Sequence, residues 1–477
     1  MKTYFKVFLF LLMYSQIYGQ NITNSIELGI PKTTKFLPND YNGEAQNFDF
    51  IQDDKGVLYV ANTVGFLEFN GTSWRSFKPN NDGVPLSFAK NKEGKIYTGG
   101  TSFIGYLDKN INGETIFISL VNKLPKDFVI GNVWDIFLIE NDIYFRNDKN
   151  IIKLKNEVIE IIDSKKNIQN LFQYNNQLFI STNKGLYSLT KNKFTLLDSS
   201  EIPIKTDIRA IVKAQNNSLN VVTLRDGIFS LKNNKLVPLK IKASSFFKEK
   251  MVFTARVLSD KKIAFSTIKG GVLITDNSFN PLYRISEKGG LSNNSSKKIK
   301  QDYQGNLWIG SDKGITKINY PITTTFFHHN KSKIGTIEEI TSHKNEIFIG
   351  ASNGTFKLHK IFQEDLLTEN HYPEFKHLPN DQIDNFANFS LGNKFLFGGM
   401  NQTQSFKNGK SSFINSFSPR KFYKSIHYPN VLYMGHAYGC EILFLNKNNN
   451  IISSKTIKNL PEIRGVAEDK NKNLWLT

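Results

Sequence analysis

Residues 302–318 read DYQGNLWIGSDKGITKI, a polar turn of Asp, Gln, Gly and Asn followed by Leu307-Trp308-Ile309, a second turn ending at Gly314, and another short apolar run. Apolar β-branched and aromatic residues favour extended backbone, whereas Gly, Asn and Asp favour tight turns. The segment therefore reads as two strands of a hairpin, each bounded by a turn. Residues 53–69, DDKGVLYVANTVGFLEF, align with it without a gap: Asp53 with Asp302, Gly56 with Gly305, Leu58 with Leu307, Tyr59 with Trp308 and Gly65 with Gly314.

Working outward from this pair, the apolar residue after the first turn recurs as Leu58, Ile96, Ile143, Leu178, Leu219, Ile263, Leu307, Ile347, Phe395, Leu432 and Leu474. The mean step is about 42 residues, the length of one four-stranded propeller blade. Seven residues after that marker a glycine stands at 65, 185, 270, 314, 354 and 439, with Asn150 in another copy. Both residue types tolerate positive φ, so a second tight turn is expected there. Helical repeats of similar length need apolar residues three and four apart, and these segments alternate instead.

The expected fold is all-β, a tandem of β-propellers. Seven copies, Leu58 through Leu307, make a first seven-bladed ring over residues 20–320. About four more make an incomplete second ring over residues 321–477. The sequence ends on the tryptophan-bearing strand of its last copy, before the next glycine and returning strand, which reads as a truncated chain.

The first 19 residues carry Lys2 and Lys6 ahead of an apolar core from Val7 to Met13, then Gly19 before Gln20. That is the pattern of a cleaved secretory signal. The apolar core is too short to span a bilayer, and no second long apolar run follows. Cys440 is the only cysteine, so an intramolecular disulfide is excluded and stability must come from packing.

The formal charge of +19 invites a nucleic-acid reading. The lysines are scattered, however, and only eight of the 61 basic residues are Arg, the side chain best suited to bidentate phosphate recognition. A lysine-rich solvated surface with no direct nucleic-acid binding is the expectation.

Residues 289–302, GGLSNNSSKKIKQD, followed by GNLWIGSDKGITKI, resemble the two-component-regulator propeller repeat of Bacteroidetes-type bacteria. Residues 460–477, LPEIRGVAEDKNKNLWLT, resemble it as well, and residues 42–69 more loosely. The resemblance implies two seven-bladed propellers, a triple-tyrosine β-sandwich, a membrane helix and a cytoplasmic output module, either a histidine kinase or a helix-turn-helix. It also implies oligosaccharide ligands, a periplasmic location at the membrane, and phosphorelay or transcriptional output. None of the C-terminal parts lies in this sequence, so no catalytic or DNA-binding residue is carried over.

Inner strands line a propeller's channel, so position points to function more than motif does. About ten residues before each marker stand Phe48, Leu86, Trp134, Gln169, Arg209, Ala255 and Lys297, and then Glu338, Ala387, Lys424 and Arg464. Trp134, Gln169, Arg209, Lys297, Glu338 and Arg464 are the candidate ligand-binding set, since a tryptophan can stack on a sugar face and cations can hold anionic groups. The bland alternative is that they fill or solvate the channel mouth.

Trp308 and Trp475 take the second-strand place that Tyr59, Tyr97 and Tyr144 take elsewhere, and are expected in the core; Trp74 fits either reading. The acidic turns at residues 53–56 and 469–473 lack the oxygen-ligand density of a calcium loop and read as Asp/Asn-stabilised hairpins. His328, His329, His343, His359, His371 and His377 cluster in sequence without a metal-ligand spacing, so no metal site and no cofactor are expected.

The function expected is the extracytoplasmic ligand-sensing region of a bacterial signal-transduction regulator, membrane-anchored in its full form, working as a homodimer and not itself an enzyme. A secreted glycan- or protein-binding propeller is the first rival. A propeller glycoside hydrolase or lyase is the second.

Overall fold

The computed structural model describes residues 25–26, 28–197, 207–213, 218–232, 235–327, 334–378, 384–400 and 402–477. The expected secretory signal and His328-His329 lie outside the described residues. The protein is all-β, and ten sheets among the described residues have the propeller form of four antiparallel strands, in sequence order in all but one. The eleven marker residues all fall in the second strand of a sheet, from Leu58 in Leu58–Asn62 to Leu474 in Leu474–Leu476.

The chain divides into two compact units. The first comprises Ile30–Phe326 with Gln363–His371, and it holds seven four-stranded sheets among the described residues. Their inner strands are Asn47–Gln52, Pro85–Lys90, Asp135–Ile139, Asn170–Tyr174, Ile208–Lys213, Val252–Val257 and Ser296–Gln301. Each inner strand lies against the next and the seventh returns to the first, closing a ring. Between every adjacent pair of sheets sits a separate apolar cluster, for example Phe66, Phe88, Phe103 and Phe117 between the first two. Stability is thus spread over the interfaces instead of residing in one central core.

The seventh sheet is closed from the far end of the sequence. Its outermost strand is Thr33–Phe36, which pairs antiparallel with Gly314–Ile318, Thr33 opposite Ile318 and Phe36 opposite Ile315. Gln52 and Tyr303 tie the first and seventh sheets as well, the Tyr303 N–H donating to Gln52 Oε1 at 2.8 Å.

The recurrent glycine opens the third strand and carries positive φ at Gly65, Gly185, Gly314, Gly354 and Gly439. Position 270 is an exception. There the left-handed conformation, φ +76°, belongs to Gly271, because the turn is one residue longer before the third strand Val272–Thr275 begins.

The second unit comprises, among the described residues, those from Ser25 to Gly29, from Phe327 to Phe362 and from Tyr372 to Thr477. Among the described residues it holds three four-stranded sheets, of residues 337–377, 387–415 and 419–457, and two two-stranded sheets, Ser25–Ile26 with Ile361–Phe362 and Val466–Glu468 with Leu474–Leu476. Gln363–His371, placed with the second ring on sequence grounds, belongs to the first unit. Arg284, 2% exposed, holds it there by donating from Nη1 to Thr368 O at 2.5 Å.

Two tryptophans expected in the core part company. Trp308 is 3% exposed, covered by Phe36 and Phe69 at ring separations of 5.8 Å each. Trp475 is 61% exposed, because its two-stranded sheet offers no such cover. Trp74 is a packing residue, stacked on Phe69 at 4.5 Å.

Candidate functional site

Five of the seven inner strands of the first unit carry a bulge at the second residue. Register shifts between Asn47 and Asp49, Pro85 and Ser87, Ile208 and Ala210, Val252 and Thr254, and Ser296 and Lys298 leave Phe48, Leu86, Arg209, Phe253 and Lys297 unpaired. A bulged residue drops out of the ladder and has its side chain re-aimed, a device common beside binding sites. Trp134 and Gln169 take the same place one residue ahead of their strands, their N–H groups donating to Arg146 O and Ser181 O. All seven side chains line one cavity of about 680 Å³ at the channel mouth.

This geometry corrects one member of the expected column. Ala255 also lines the cavity, but the residue equivalent to Arg209 and Lys297 is Phe253. In the second unit the equivalents are Arg420, between Pro419 and Lys421, and Phe386 in place of Lys424 and Ala387. Glu338 is a bulge residue there, exposed at the edge of its strand. Arg464, its side chain 76% exposed, pairs with Glu462 at 3.2 Å.

The polar groups at the mouth of the first unit form a fixed set. Trp134 Nε1 donates to Asp148 Oδ1 at 3.1 Å. Asp207 accepts from Gln169 Nε2 at 3.2 Å and from Arg209 Nη2 at 2.8 Å. The Arg209 guanidinium lies over the Phe253 ring, 5.2 Å from its centroid. Burial pushes its pKa below the ordinary value, with Asp207 opposing. Lys297 pairs with Asp312 at 2.5 Å; burial pushes the Asp312 carboxyl up, but its bonds to Lys297 and Ser295 and the charge of Lys297 together outweigh that and hold it below the usual carboxylate range. Below them Arg146, 4% exposed, bonds Asp135 through Nε at 2.9 Å and Nη2 at 2.5 Å.

Asp207, Asp148 and Phe253 were not singled out by sequence. Phe253 is recoverable from a strict ten-residue offset before Ile263. The two aspartates have no repeat signature, since each comes from a connection particular to its own sheet. Aromatic faces beside aspartate-anchored donors suit a polyhydroxylated ring, which offers C–H groups to the one and hydroxyls to the other. Among the described residues no group of three His, Cys, Asp or Glu is placed to hold a metal. His343 bonds Ser390, His371 bonds Ser286, and His377 lies against backbone carbonyls.

The family described as "Two component regulator propeller" matches residues 290–313. The chain carries the two-component regulator propeller repeat. Among solved structures, the chain is similar to the extracellular domain assigned to the hybrid two-component system BT3049 of B. thetaiotaomicron, with TM-score 0.68, 16% identity, and coverage of 94% of this chain and 64% of that one. The extracellular domain assigned to the one-component system BT4673 of the same organism matches with TM-score 0.49 and 13% identity over 94% of this chain and 64% of that one. Virginiamycin B lyase from Staphylococcus aureus matches with TM-score 0.47 and 15% identity over 60% of this chain and 99% of that one. No curated protein matches the sequence.

At 16% identity the first of these likenesses shows the propeller fold alone. The chain spans 64% of the length of the B. thetaiotaomicron structures it matches. Among the described residues no helix is long and apolar enough to cross a membrane.

Proposed function

We propose that this chain is the exported ligand-sensing region of a bacterial signal-transduction regulator, and that the mouth of its first ring takes a small extracellular oligosaccharide. The observation that carries the reading is the convergence of seven side chains on one cavity, five of them from strand bulges, with Trp134 and Phe253 beside donors and acceptors fixed by Asp148 and Asp207. The matched repeat and the fold shared with an extracellular sensor domain support it. The output module, histidine kinase or helix-turn-helix, belongs to the rest of the protein on this reading, as does the membrane anchor. Signalling then requires that ligand bind one of two arrangements of a homodimer better than the other, because a ligand shifts an equilibrium only by its difference in affinity. A coupling of about 1–3 kcal/mol suffices.

The test is calorimetric titration of residues 20–477 with a panel of oligosaccharides, repeated with Trp134→Ala and Gln169→Ala. One saccharide is expected to bind at one site, with affinity lowered about tenfold or more in each variant, given the stacking and hydrogen bonds removed. Silence across the panel, or unchanged affinity in both variants, overturns the reading. Release of reducing sugar or unsaturated product would replace it with the hydrolase or lyase alternative.

A further inference from the structure

Beyond the mouth the same channel opens into a second cavity, of about 490 Å³, lined by the later residues of the inner strands. Lys300 stands three residues past Lys297 on one strand, which at the rise of an extended chain is roughly 10 Å further along the axis. The charged side chains here come from five sheets: Lys298 and Lys300 from the seventh, Arg256 from the sixth, Lys90 from the second, Asp49 from the first and Asp135 from the third. The facing residue of the fourth sheet, Gln173, is neutral.

The carboxylates near this cavity are already committed. Asp49 pairs with Lys298 at 3.2 Å and accepts the Phe50 and Phe88 N–H groups. Asp135 is held by Arg146. Lys90 pairs with Asp54 at 2.5 Å and bonds the Tyr303 hydroxyl. The side chains of Arg256 and Lys300 are left with no hydrogen-bond or ion-pair partner among the described residues, although Lys300 is half-buried. Two unpaired cations facing one cavity repel each other, and a charged group removed from water without a partner is costly. An anion between them relieves both costs.

We propose that this deeper cavity is an oxyanion-binding site, in which Arg256 and Lys300 together hold a sulfate, phosphate or carboxylate group, free or borne on a larger solute. The site is separate from the saccharide reading of the mouth and stands or falls without it. Burial, followed by repulsion from Arg256, pushes Lys300 down to about 8, with Lys298 and Lys90 acting in the same direction and Asp49 against it. A bound anion stabilises the ammonium and raises that pKa again, so binding near pH 8 takes up a proton.

The experiment is calorimetric titration of residues 20–477 with inorganic sulfate, inorganic phosphate and glucuronate, at ionic strength held constant with chloride and with glucose as the uncharged control. Binding of an inorganic anion marks a site for free oxyanions, whereas binding of glucuronate alone marks one that needs the carboxylate on a sugar; either supports the proposal. Affinity is expected to weaken roughly tenfold from pH 7 to pH 9, the loss of protonation for a group that titrates near 8. Buffers of different ionisation enthalpy should report proton uptake at pH 8. Lys300→Met and Arg256→Gln are each expected to weaken binding about tenfold or more, while Lys235→Met, on an outer strand of the fifth sheet, leaves it unchanged. Arg256 is exposed, so its variant reports even where Lys300→Met fails to fold. No binding by any of the three anions, or affinity untouched in Arg256→Gln, overturns the proposal.

Discussion

Trp308 donates its indole N–H to Asp302, Nε1 to Oδ2 at 2.9 Å, and both side chains are buried. The other oxygen of Asp302 accepts the Asn306 N–H at 2.8 Å, so one carboxylate shapes the turn and pins the aromatic of the strand that follows. Trp475 and Asp469 repeat the bond at 3.2 Å in an exposed setting. Asp302→Ala is expected to destabilise by about 1–3 kcal/mol, since it leaves a buried indole N–H unpaired. Asp469→Ala, in the exposed copy, should destabilise less. Urea unfolding of the two variants measures the contrast, and equal costs would contradict it.

Gly314 opens its strand at φ +112°, and a Cβ there would run into the carbonyl oxygen of Phe36 on the closing strand. Gly71 also has positive φ, +103°, but faces open space. Gly314→Ala should therefore cost about 3 kcal/mol, backbone strain plus collision, and Gly71→Ala about 1 kcal/mol, strain alone. Thermal melting of both variants checks the ordering.

His371, 2% exposed, donates to or accepts from Ser286 at 2.8 Å, and burial followed by the nearby Arg284 pushes its imidazole down to about 4. The unfolded chain binds this proton near pH 6.5 and the folded one only near 4. Its contribution is complete above pH 6.5 and is lost as pH falls towards 4, by roughly 3 kcal/mol at 1.36 kcal/mol per unit. Urea midpoints at pH 7, 5.5 and 4.5 should fall less steeply for His371→Asn than for the parent.

Arg284 donates to Gly270 O at 3.0 Å and to Thr368 O, with its guanidinium 5.0 Å from the Phe246 ring centroid. Replacing it with Met strands both carbonyls and should cost about 3 kcal/mol. Limited proteolysis is expected to cut within residues 363–371 well before the rest of the first unit. A protected segment in Arg284→Met would refute the clamp.

Cys440 is fully buried, and burial pushes its thiol up to about 11. The thiolate is the reactive form, so a thiol reagent at pH 8 should label it only on unfolding. Labelling followed against urea should track the loss of structure.

The hairpin unit was legible because its causes are local. The turn aspartate, the aromatic two residues into the second strand and the glycine seven residues past the marker all act within a dozen residues, and they recur at Asp53, Asp302 and Asp469 with the same backbone bonds. Trp134, Gln169, Arg209 and Lys297 were brought to one cavity because equal spacing from equivalent strands places residues at one level of a ring. Ala255 was read in place of Phe253, although the ten-residue offset that Arg209 and Lys297 keep from their own markers points to Phe253.

The amino-acid order by itself determined the period, the antiparallel sheet unit and the side of each inner strand that begins at the channel, since these follow from backbone preference and from contacts between near neighbours. Only the tertiary structure decided that Thr33–Phe36 closes the seventh sheet, that Asp207 and Asp148 anchor the mouth, and that Arg256 and Lys300 face one cavity unpaired. Those relationships join strands from separate turns of the repeat. Their energy depends on which groups the closed ring desolvates together, and no stretch of the chain encodes that alone.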